Sequence, residues 1–261
     1  LLQQNNIGWT WWPLKKMGNN NPLQLKGNNN YTQLLNYWKS NAAKPSVEVA
    51  FSGLMQLARD SRIGNVVYHK DVTDAMFRQV SSSATIPFKK EVIKNGSVLY
   101  AVDYDLGRSG FAYYDNDSAN YRVSTNKNIM WNKGHEYRND GVDINLCNDE
   151  KTNGYCVSWT EGGEWLQYTL DVATEGNYTI AIRSFAKEEG AQIKLTLNNS
   201  FAQNVALDNK GSLNKWTTTT VSNIHLKKGI NQFRVEIISS TPDLNYFQFK
   251  LGAKSTAAKK K

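Results

Sequence analysis

The sequence predicts a mainly β protein whose larger part folds as a β-sandwich of the jelly-roll type. From about Phe88 onward, short alternating or β-branched runs recur, and turn signals such as Glu175-Gly176-Asn177 separate them. No helical period lies between these runs, which is typical of an all-β domain. The predicted strands cover residues 97–102, 137–146, 164–172, 178–185, 191–197, 217–226, 232–238 and 246–251.

The first 80 residues follow a different pattern. Residues 7–12 form an apolar, aromatic run closed by Pro13, which predicts a buried strand. Helical patterns follow at 31–39, 47–58 and 71–80, and Ser46 suits the N-cap of the second. The predicted domains are therefore an N-terminal segment (1–80), a polar linker (81–87), a β-sandwich (88–251) and a disordered basic tail (252–261).

Composition and charge exclude several classes of protein. Of the 261 residues, 40% are hydrophobic, which supports a packed core, and no run approaches the roughly 18 apolar residues of a membrane span. The net charge of +8 is unevenly placed: residues 1–100 carry +7 and residues 251–261 carry +4, whereas residues 101–250 carry −3. Because the patterned β region is acidic, we expect neither a nucleic-acid nor a membrane partner. The chain begins at Leu1 with no signal region, so we expect its natural start to lie upstream.

Two cysteines, Cys147 and Cys156, lie nine positions apart, with no histidine or further cysteine at zinc-ligand spacing. If the segment between them forms a hairpin, the two could face each other and form a disulfide in an oxidising compartment. The alternative interpretation is a pair of free, half-buried thiols.

Five stretches of the β region resemble carbohydrate-binding module family 6, a β-sandwich module appended to enzymes that degrade plant-wall polysaccharides. They occur in the family's order and cover most of the module: DYDLGRSGFAYYDNDSANYR (103–122), YRNDGVDI (137–144), GYCVSWTEGGEWLQYTLDV (154–172), GNYTIAIR (176–183) and DLNYFQF (243–249).

This resemblance implies a sugar-binding cleft at the loop end of the sandwich. Its first aromatic corresponds to Tyr137, and its asparagine corresponds to Asp243. Leu213 takes the place of the second aromatic, and a leucine lacks the flat face that stacks on a sugar ring. The family has a second cleft on the concave sheet face, where Trp159 and Trp165 could serve, although core packing is the alternative for both.

The family also implies a structural calcium ion, which requires oxygen ligands. Tyr100-Ala101-Val102 replaces the family's acidic first strand, and Asn245 replaces a late aspartate. Asp103 and Asp105 remain as candidate ligands, with turn formation as the alternative. The resemblance thus implies a calcium site whose usual acidic ligands are largely replaced here, and no other cofactor is expected.

Residues 1–80 resemble the C-terminal end of a glycoside hydrolase family 5 catalytic domain, a (β/α)8 barrel. The match rests on IGWTWWPLKK (7–16), which corresponds to the eighth barrel strand and is followed by the closing helices. It implies a remnant of a sugar subsite formed by Trp12 with Lys15 or Lys16. The family's two catalytic glutamates lie upstream of strand eight, so we expect no catalytic residues in this chain.

Together these patterns predict the β-glycan-binding module of a secreted, endo-acting β-glucanase or cellulase-like hydrolase. The expected partner is a β-linked glucan or xylan, and the expected state is a monomer. One alternative is a sandwich with hydrolase activity of its own, for which Asp115 with Asp117 and Glu161 with Glu164 are the candidate pairs. Nothing in their sequence context suggests raised pKa values. A second alternative is an adhesion or structural sandwich.

Overall fold

The computed structural model describes residues 2–18, 21–78, 81–117, 120–122, 127–129, 132–134, 137–186, 188–208 and 215–252. The chain divides into two compact units, Leu1–Phe77 and Arg78–Lys261. Ile86, in the predicted linker, forms an isolated antiparallel bridge with Leu106 of the second unit. Among the described residues, no helix has the length and apolar character needed to cross a membrane.

The first unit combines a small sheet with three helices. A 3-10 turn at Gln3–Asn5 precedes the sheet, whose order is β1-β2-β3, with β1 and β2 parallel and β2 and β3 antiparallel. Its elements are β1 (Lys15–Met17), β2 (Leu23–Leu25), α1 (Asn29–Lys39), α2 (Val47–Asp60), β3 (Val67–Tyr68) and α3 (Lys70–Phe77).

The predicted helices of this unit are present, and their caps explain where they begin. The Asn28 side chain accepts a hydrogen bond from the backbone N–H of Tyr31 at the start of α1. Ser46 does the same for Val49 at the start of α2, as the sequence predicted. Gly53 allows α2 to approach α1 closely, because a Cβ there would lie 2.6 Å from the backbone nitrogen of Tyr31.

The predicted strand at residues 7–12 is wrong. Those residues have no regular secondary structure, and the first strand forms later, at Lys15–Met17. A strand needs a neighbour that satisfies its backbone groups, and no described strand pairs with this segment. Its aromatic side chains are consequently exposed, with Trp12 exposed to 90%.

The second unit is built from two six-stranded sheets. The front sheet has the order β14-β13-β16-β11-β4, with β6 also paired to β11; the back sheet has the order β15-β12-β17-β10-β9, with β5 also paired to β17. A separate hairpin joins β7 and β8. The strands are β4 (Val92–Ile93), β5 (Val98–Tyr100), β6 (Tyr113–Tyr114), β7 (Asn120–Arg122), β8 (Lys127–Ile129), β9 (Ile144–Leu146), β10 (Tyr155–Val157), β11 (Trp165–Val172), β12 (Gly176–Phe185), β13 (Gln192–Leu197), β14 (Phe201–Ala206), β15 (Trp216–Leu226), β16 (Gly229–Ser239) and β17 (Asp243–Leu251).

One hydrophobic core lies between these sheets, and strand alternation explains it. Alternate residues of the long strands are buried, such as Leu166, Tyr168 and Leu170 in β11. On the back sheet, Ile180 faces Phe249 in register, and both are fully buried. The side chains that alternate with these buried residues along each strand therefore point to the outer faces of the sandwich.

The predicted β-sandwich architecture is confirmed, although its strand set differs. Residues 137–146 contribute a strand only at Ile144–Leu146, and a 3-10 turn at Ala101–Asp103 ends the first predicted strand. Strand β14 was not predicted, because Phe201–Ala206 has no regular alternation and is exposed at all but one position.

Candidate functional site

A row of aromatic and polar side chains crosses the outer face of the front sheet. Trp165 is in register with Tyr114 on one side and Glu236 on the other. Glu236 is in register with Lys194, and Lys194 with Asn204. We call these five residues the front-sheet row. Because strands lie about 4.8 Å apart, the row spans about 19 Å.

The front-sheet row is accessible, and its charges balance. Tyr114 is 42% exposed, Asn204 is exposed, and the other three members are half-buried. The Lys194 ammonium lies 3.5 Å from the Glu236 carboxylate. The row therefore presents two aromatic side chains beside a neutral acid–base pair and a side-chain amide.

Trp165 is held in place by an arginine. The Arg234 guanidinium lies 3.8 Å from the centroid of its indole ring, and burial lowers the pKa of Arg234. Gln167 accepts a hydrogen bond of 3.1 Å from Arg234 and so fixes its orientation. Since the guanidinium covers one face of the indole, at most one face is left for a ligand.

Trp159 lies elsewhere, at the loop end of the back sheet, and is 37% exposed. Its backbone is left-handed, with φ of 53°, which is unusual for a bulky residue. The next residue, Thr160, donates a hydrogen bond of 2.8 Å to the carbonyl of Pro242. Trp159 and Asp243 therefore both adjoin this contact.

Asp243 begins β17 and belongs to a short row of its own on the back sheet. It is in register with Phe185, which is in register with Trp216. The Phe185 and Trp216 rings are 5.5 Å apart, and the Trp216 indole donates a hydrogen bond of 2.9 Å to Asn148. Leu213, the expected replacement for the second cleft aromatic, lies outside the described residues.

Tyr137 is tied into the structure at both ends of its side chain. Its hydroxyl donates a hydrogen bond of 2.5 Å to Asp103, and its ring lies 4.9 Å from that of Tyr155 and 5.6 Å from that of Phe88. Burial, followed by the Asp103 carboxylate, raises the pKa of its phenol. The structure thus gives the predicted cleft aromatic a packing role.

The two candidate calcium ligands also have protein partners. Asp103 accepts the Tyr137 hydroxyl and pairs with Lys89 at 2.8 Å. Both carboxylate oxygens of Asp105 accept hydrogen bonds from Thr169, one from its N–H and one from its hydroxyl. Within the described ranges, no three acidic, histidine or cysteine side chains form a group that could hold a metal ion.

Both cysteines are free thiols, so the disulfide offered as one interpretation is absent from this structure. A hairpin does join them, but Cys156 is in register with Asn145, and Cys147 lies two residues after Asn145, just beyond the end of β9. The pair is therefore diagonal, and diagonal neighbours are farther apart than residues that face each other directly.

The acidic pairs considered for catalysis lie at the loop end, and the expectation about their pKa values is wrong for Asp115 and Glu164. Burial, with the nearby Glu164 carboxylate second, raises the pKa of Asp115 to about 7. Burial also raises the pKa of Glu164, whose two oxygens accept the backbone N–H groups of Asn116 and Glu161. Asp117 forms an ion pair of 2.8 Å with Lys133.

The predicted subsite remnant lies in the first unit. Trp12 is almost fully exposed, whereas the Lys15 ammonium donates a hydrogen bond of 2.7 Å to the carbonyl of Ser61. The backbone N–H of Lys16, the next residue in β1, donates a hydrogen bond of 3.2 Å to the Asn21 side-chain oxygen.

Sequence reasoning missed four members of the front-sheet row: Tyr114, Lys194, Asn204 and Glu236. Strand alternation could have placed Lys194 and Glu236 on an outer face, since each lies between two apolar residues. Their alignment with Trp165 depends on strand order and register, which alternation alone does not determine.

One comparison with known protein families concerns the second unit. Residues 138–249 match the family model described as carbohydrate binding module (family 35). The prediction of a carbohydrate-binding module is thereby confirmed, whereas the matching model is that of family 35 and not family 6. A search of curated proteins found no match.

Several solved structures are similar to part of the chain. A carbohydrate-binding module from Cellvibrio mixtus lichenase 5A, in complex with cellotriose, is 20% identical, with a TM-score of 0.39; the match covers 44% of this chain and 89% of that one. A β-1,3-glucan-binding family 6 module from Bacillus halodurans is 17% identical, with a TM-score of 0.41, covering 61% and 99%. A family 35 module from Clostridium thermocellum is 16% identical, with a TM-score of 0.34, covering 43% and 93%.

Proposed function

We propose that the second unit binds a β-linked polysaccharide, a glucan or a xylan, and that the front-sheet row is its binding surface. The observation that carries this proposal is the alignment of two aromatic side chains with an acid, a base and an amide across five strands. The match to a carbohydrate-binding family model supports the same class of ligand.

The chemistry of the row suits a neutral sugar chain. A pyranose ring has apolar C–H faces, which pack on aromatic rings, and a rim of hydroxyls, which exchange hydrogen bonds with planar polar groups. Tyr114 and Trp165 offer the aromatic surface, while Glu236, Lys194 and Asn204 offer acceptors and donors along one line. Glu236 and Lys194 neutralise each other, so the charge beside the row is that of the Arg234 guanidinium on Trp165.

The row suits this role better than Tyr137 does. The Tyr137 hydroxyl already has a partner in Asp103, and its ring contacts two other aromatic rings. Tyr114, in contrast, is exposed, and its strand β6 is anchored to β11 by backbone pairing. A platform on paired strands is pre-ordered, which lowers the entropic cost of binding.

We further propose that the module serves a secreted, endo-acting β-glucanase or cellulase-like hydrolase, and that it acts as a monomer. The exposed apolar side chains of the first unit support a hydrolase remnant there. Trp12, Phe51 and Phe77 are each more than 60% exposed, which is unusual for a unit that is stable alone. Such a surface is consistent with a segment that is normally covered by more of a larger domain.

The test is a depletion assay of the full chain on insoluble barley β-glucan, xylan and laminarin-type glucan. Tyr114→Ala should weaken binding to the preferred polymer about tenfold, because one stacking contact contributes on the order of 1–2 kcal/mol. Tyr246→Ala is the matched control, since Tyr246 is a half-buried tyrosine on the back sheet. Equal binding by both variants and the parent chain would refute the assignment of the site.

Two further variants separate the row from the loop end. Glu236→Gln should weaken binding without changing the fold, whereas Trp159→Ala should leave affinity within about twofold of the parent. If Trp159→Ala removes binding and Glu236→Gln does not, the glycan binds at the loop end instead. If the parent chain binds none of the polymers, the function itself is refuted.

Hydrolase activity in the second unit is the alternative that one observation favours. Asp115 has a raised pKa and lies beside Glu164, a combination that a general acid requires. Both oxygens of Glu164 accept backbone N–H groups, which is typical of a structural carboxylate. Release of reducing sugar by the parent chain, lost in Asp115→Asn, would establish the alternative; we expect none.

A further inference from the structure

Tyr114, at one end of the front-sheet row, belongs to a strand of only two residues, β6 (Tyr113–Tyr114). Tyr113 anchors the start of this strand, because it is 8% exposed and its hydroxyl accepts the backbone N–H of Gly141 at 3.1 Å. Tyr114 is the last residue of the strand in register with β11, where its partner is Trp165. The position of the Tyr114 ring therefore depends on what holds the chain immediately after it.

The carboxylate of Glu164 holds that part of the chain. One of its oxygens accepts the backbone N–H of Asn116 at 3.1 Å, and the other accepts the backbone N–H of Glu161 at 2.8 Å. Glu164 is 9% exposed, so water competes little for these hydrogen bonds. A hydrogen bond to a carboxylate is roughly twice as strong as one between neutral groups. Glu164 thus joins the residues after Tyr114 to the loop before Trp165.

The backbone of Glu164 is itself fixed by the front sheet. Its carbonyl accepts the backbone N–H of Ile237 in β16 at 2.8 Å, and the N–H of Gly163 donates to the Ile237 carbonyl at 2.8 Å. Trp165, the next residue, begins β11 and is in register with Glu236. The Glu164 side chain therefore reaches the chain after Tyr114 from a point that is held by the pairing of β11 with β16.

Other contacts of this region are weaker or more local. The side-chain amide of Asn116 donates to the Glu161 carboxylate at 3.4 Å and to the Gly162 carbonyl at 3.3 Å, and both contacts are exposed. The Asp115 carboxylate accepts the N–H of Asp117 at 2.9 Å, so this contact holds its own turn. Glu164 therefore provides the main link between the two segments.

We propose that Glu164 is a positioning residue for the front-sheet row: its carboxylate holds Tyr114 beside Trp165, so that a sugar chain meets both aromatic side chains in one line. Glu164 acts through these neighbours and does not contact the sugar. The expected effect on affinity rests on the proposed function, because it requires that the row binds the polysaccharide. The hold on the chain after Tyr114 does not depend on it.

The first test measures backbone amide exchange in the full chain by NMR. Glu164→Gln keeps the shape of the side chain but replaces one acceptor oxygen by an NH2 donor, so one of the two N–H groups loses its partner. Exchange at Asn116 or Glu161 should become about tenfold faster. Glu161→Gln is the matched control, since it makes the same change in the same loop and keeps the N–H of residue 161. It should leave both rates within about twofold of the parent.

The second test is a double-mutant cycle in the depletion assay on the preferred polymer. Glu164→Gln should weaken binding by up to the roughly tenfold expected of Tyr114→Ala, because the Tyr114 ring is no longer held in place. In the Tyr114→Ala background, the same substitution should change affinity less than about twofold, since no ring is left to position. A residue with a merely structural role would weaken binding by the same factor in both backgrounds.

Either of two results would overturn the proposal. One is exchange at Asn116 and Glu161 that is equal in Glu164→Gln and the parent, and the other is an equal loss of affinity in the two backgrounds. If the parent chain binds none of the polymers, the proposed function fails, whereas the exchange rates still decide whether Glu164 holds the chain after Tyr114. If Glu164→Gln does not fold, Glu164→Asp replaces it, because it keeps the charge but withdraws the carboxylate by one methylene. The same amides should then exchange faster than in the parent.

Discussion

The substitution Gly134→Ala should destabilise the second unit strongly, for two reasons that the structure separates. Gly134 has φ of +79°, where an alanine costs about 1–2 kcal/mol. A Cβ at this position would also lie 1.8 Å from the carbonyl oxygen of Ile144 and 3.2 Å from the indole of Trp159. The oxygen belongs to the backbone of β9, so relieving the overlap must shift the strand, at about 1–3 kcal/mol more.

Gly154→Ala is the matched control, because Gly154 has φ of +100° but open space around its Cβ position. Gly154→Ala should lower the free energy of unfolding by the cost of the left-handed backbone alone. A fraction of a kcal/mol of that loss is offset, because alanine restricts the unfolded chain more than glycine does. Thermal unfolding of both variants should then place Gly134→Ala about 2–12 °C below Gly154→Ala, since the contact cost of about 1–3 kcal/mol corresponds to roughly 2–4 °C per kcal/mol. Equal Tm values for the two would refute the claim that contact with Ile144 adds to the backbone strain.

Three further predictions concern buried polar contacts. Asp149→Ala should lower stability by about 3–5 kcal/mol, measured by urea unfolding, because it leaves the Arg183 guanidinium without its carboxylate partner. The folded-state pKa of Asp115 lies near 7, above the 3.8 of a free carboxyl, so its contribution to stability is fully present below about pH 4 and is lost as the pH rises through 7. Asp115→Asn should therefore match the parent Tm near pH 4 and exceed it at pH 8; a constant difference across this range would contradict the assignment. Tyr137→Phe, which removes only the hydrogen bond to Asp103, should lower stability by about 1–2 kcal/mol in urea unfolding and leave polysaccharide depletion unchanged.

Local sequence signals predicted the elements whose causes are local. Ser46 caps α2 as expected, because an N-cap depends on residues within one turn. The long strands β11, β12 and β16 alternate regularly, and each lies close to its predicted range. The segment at residues 7–12 has the composition of a strand but not the pairing, and pairing depends on residues far away in sequence.

The site was harder to predict than the fold, because it depends on register. Trp165 was a candidate from the sequence, but its neighbours Tyr114 and Glu236 are 51 and 71 residues away along the chain. A shift of one residue in either strand pairing would turn these side chains into the core. The sequence carries the residue types, whereas the alignment of the row is a property of the assembled sheet.

The placement of the row on the front sheet has a consequence for how the module would hold a polysaccharide. Its five side chains project from strands whose backbone groups are paired, so their spacing is fixed before any ligand arrives. Trp165 is further restricted by the Arg234 guanidinium, which in turn is held by Gln167. Little conformational entropy is then lost on binding, and affinity depends mainly on the stacking area and the hydrogen bonds along the chain.

A ligand with too few sugar units to reach from Tyr114 to Asn204 forgoes part of those contacts. Affinity should therefore rise with oligosaccharide length until the ligand spans about 19 Å and then level off, because no strand among the described residues extends the row. Titration calorimetry with a series of β-linked oligosaccharides measures this directly, and an affinity already maximal for a disaccharide would show that the row is not the binding surface.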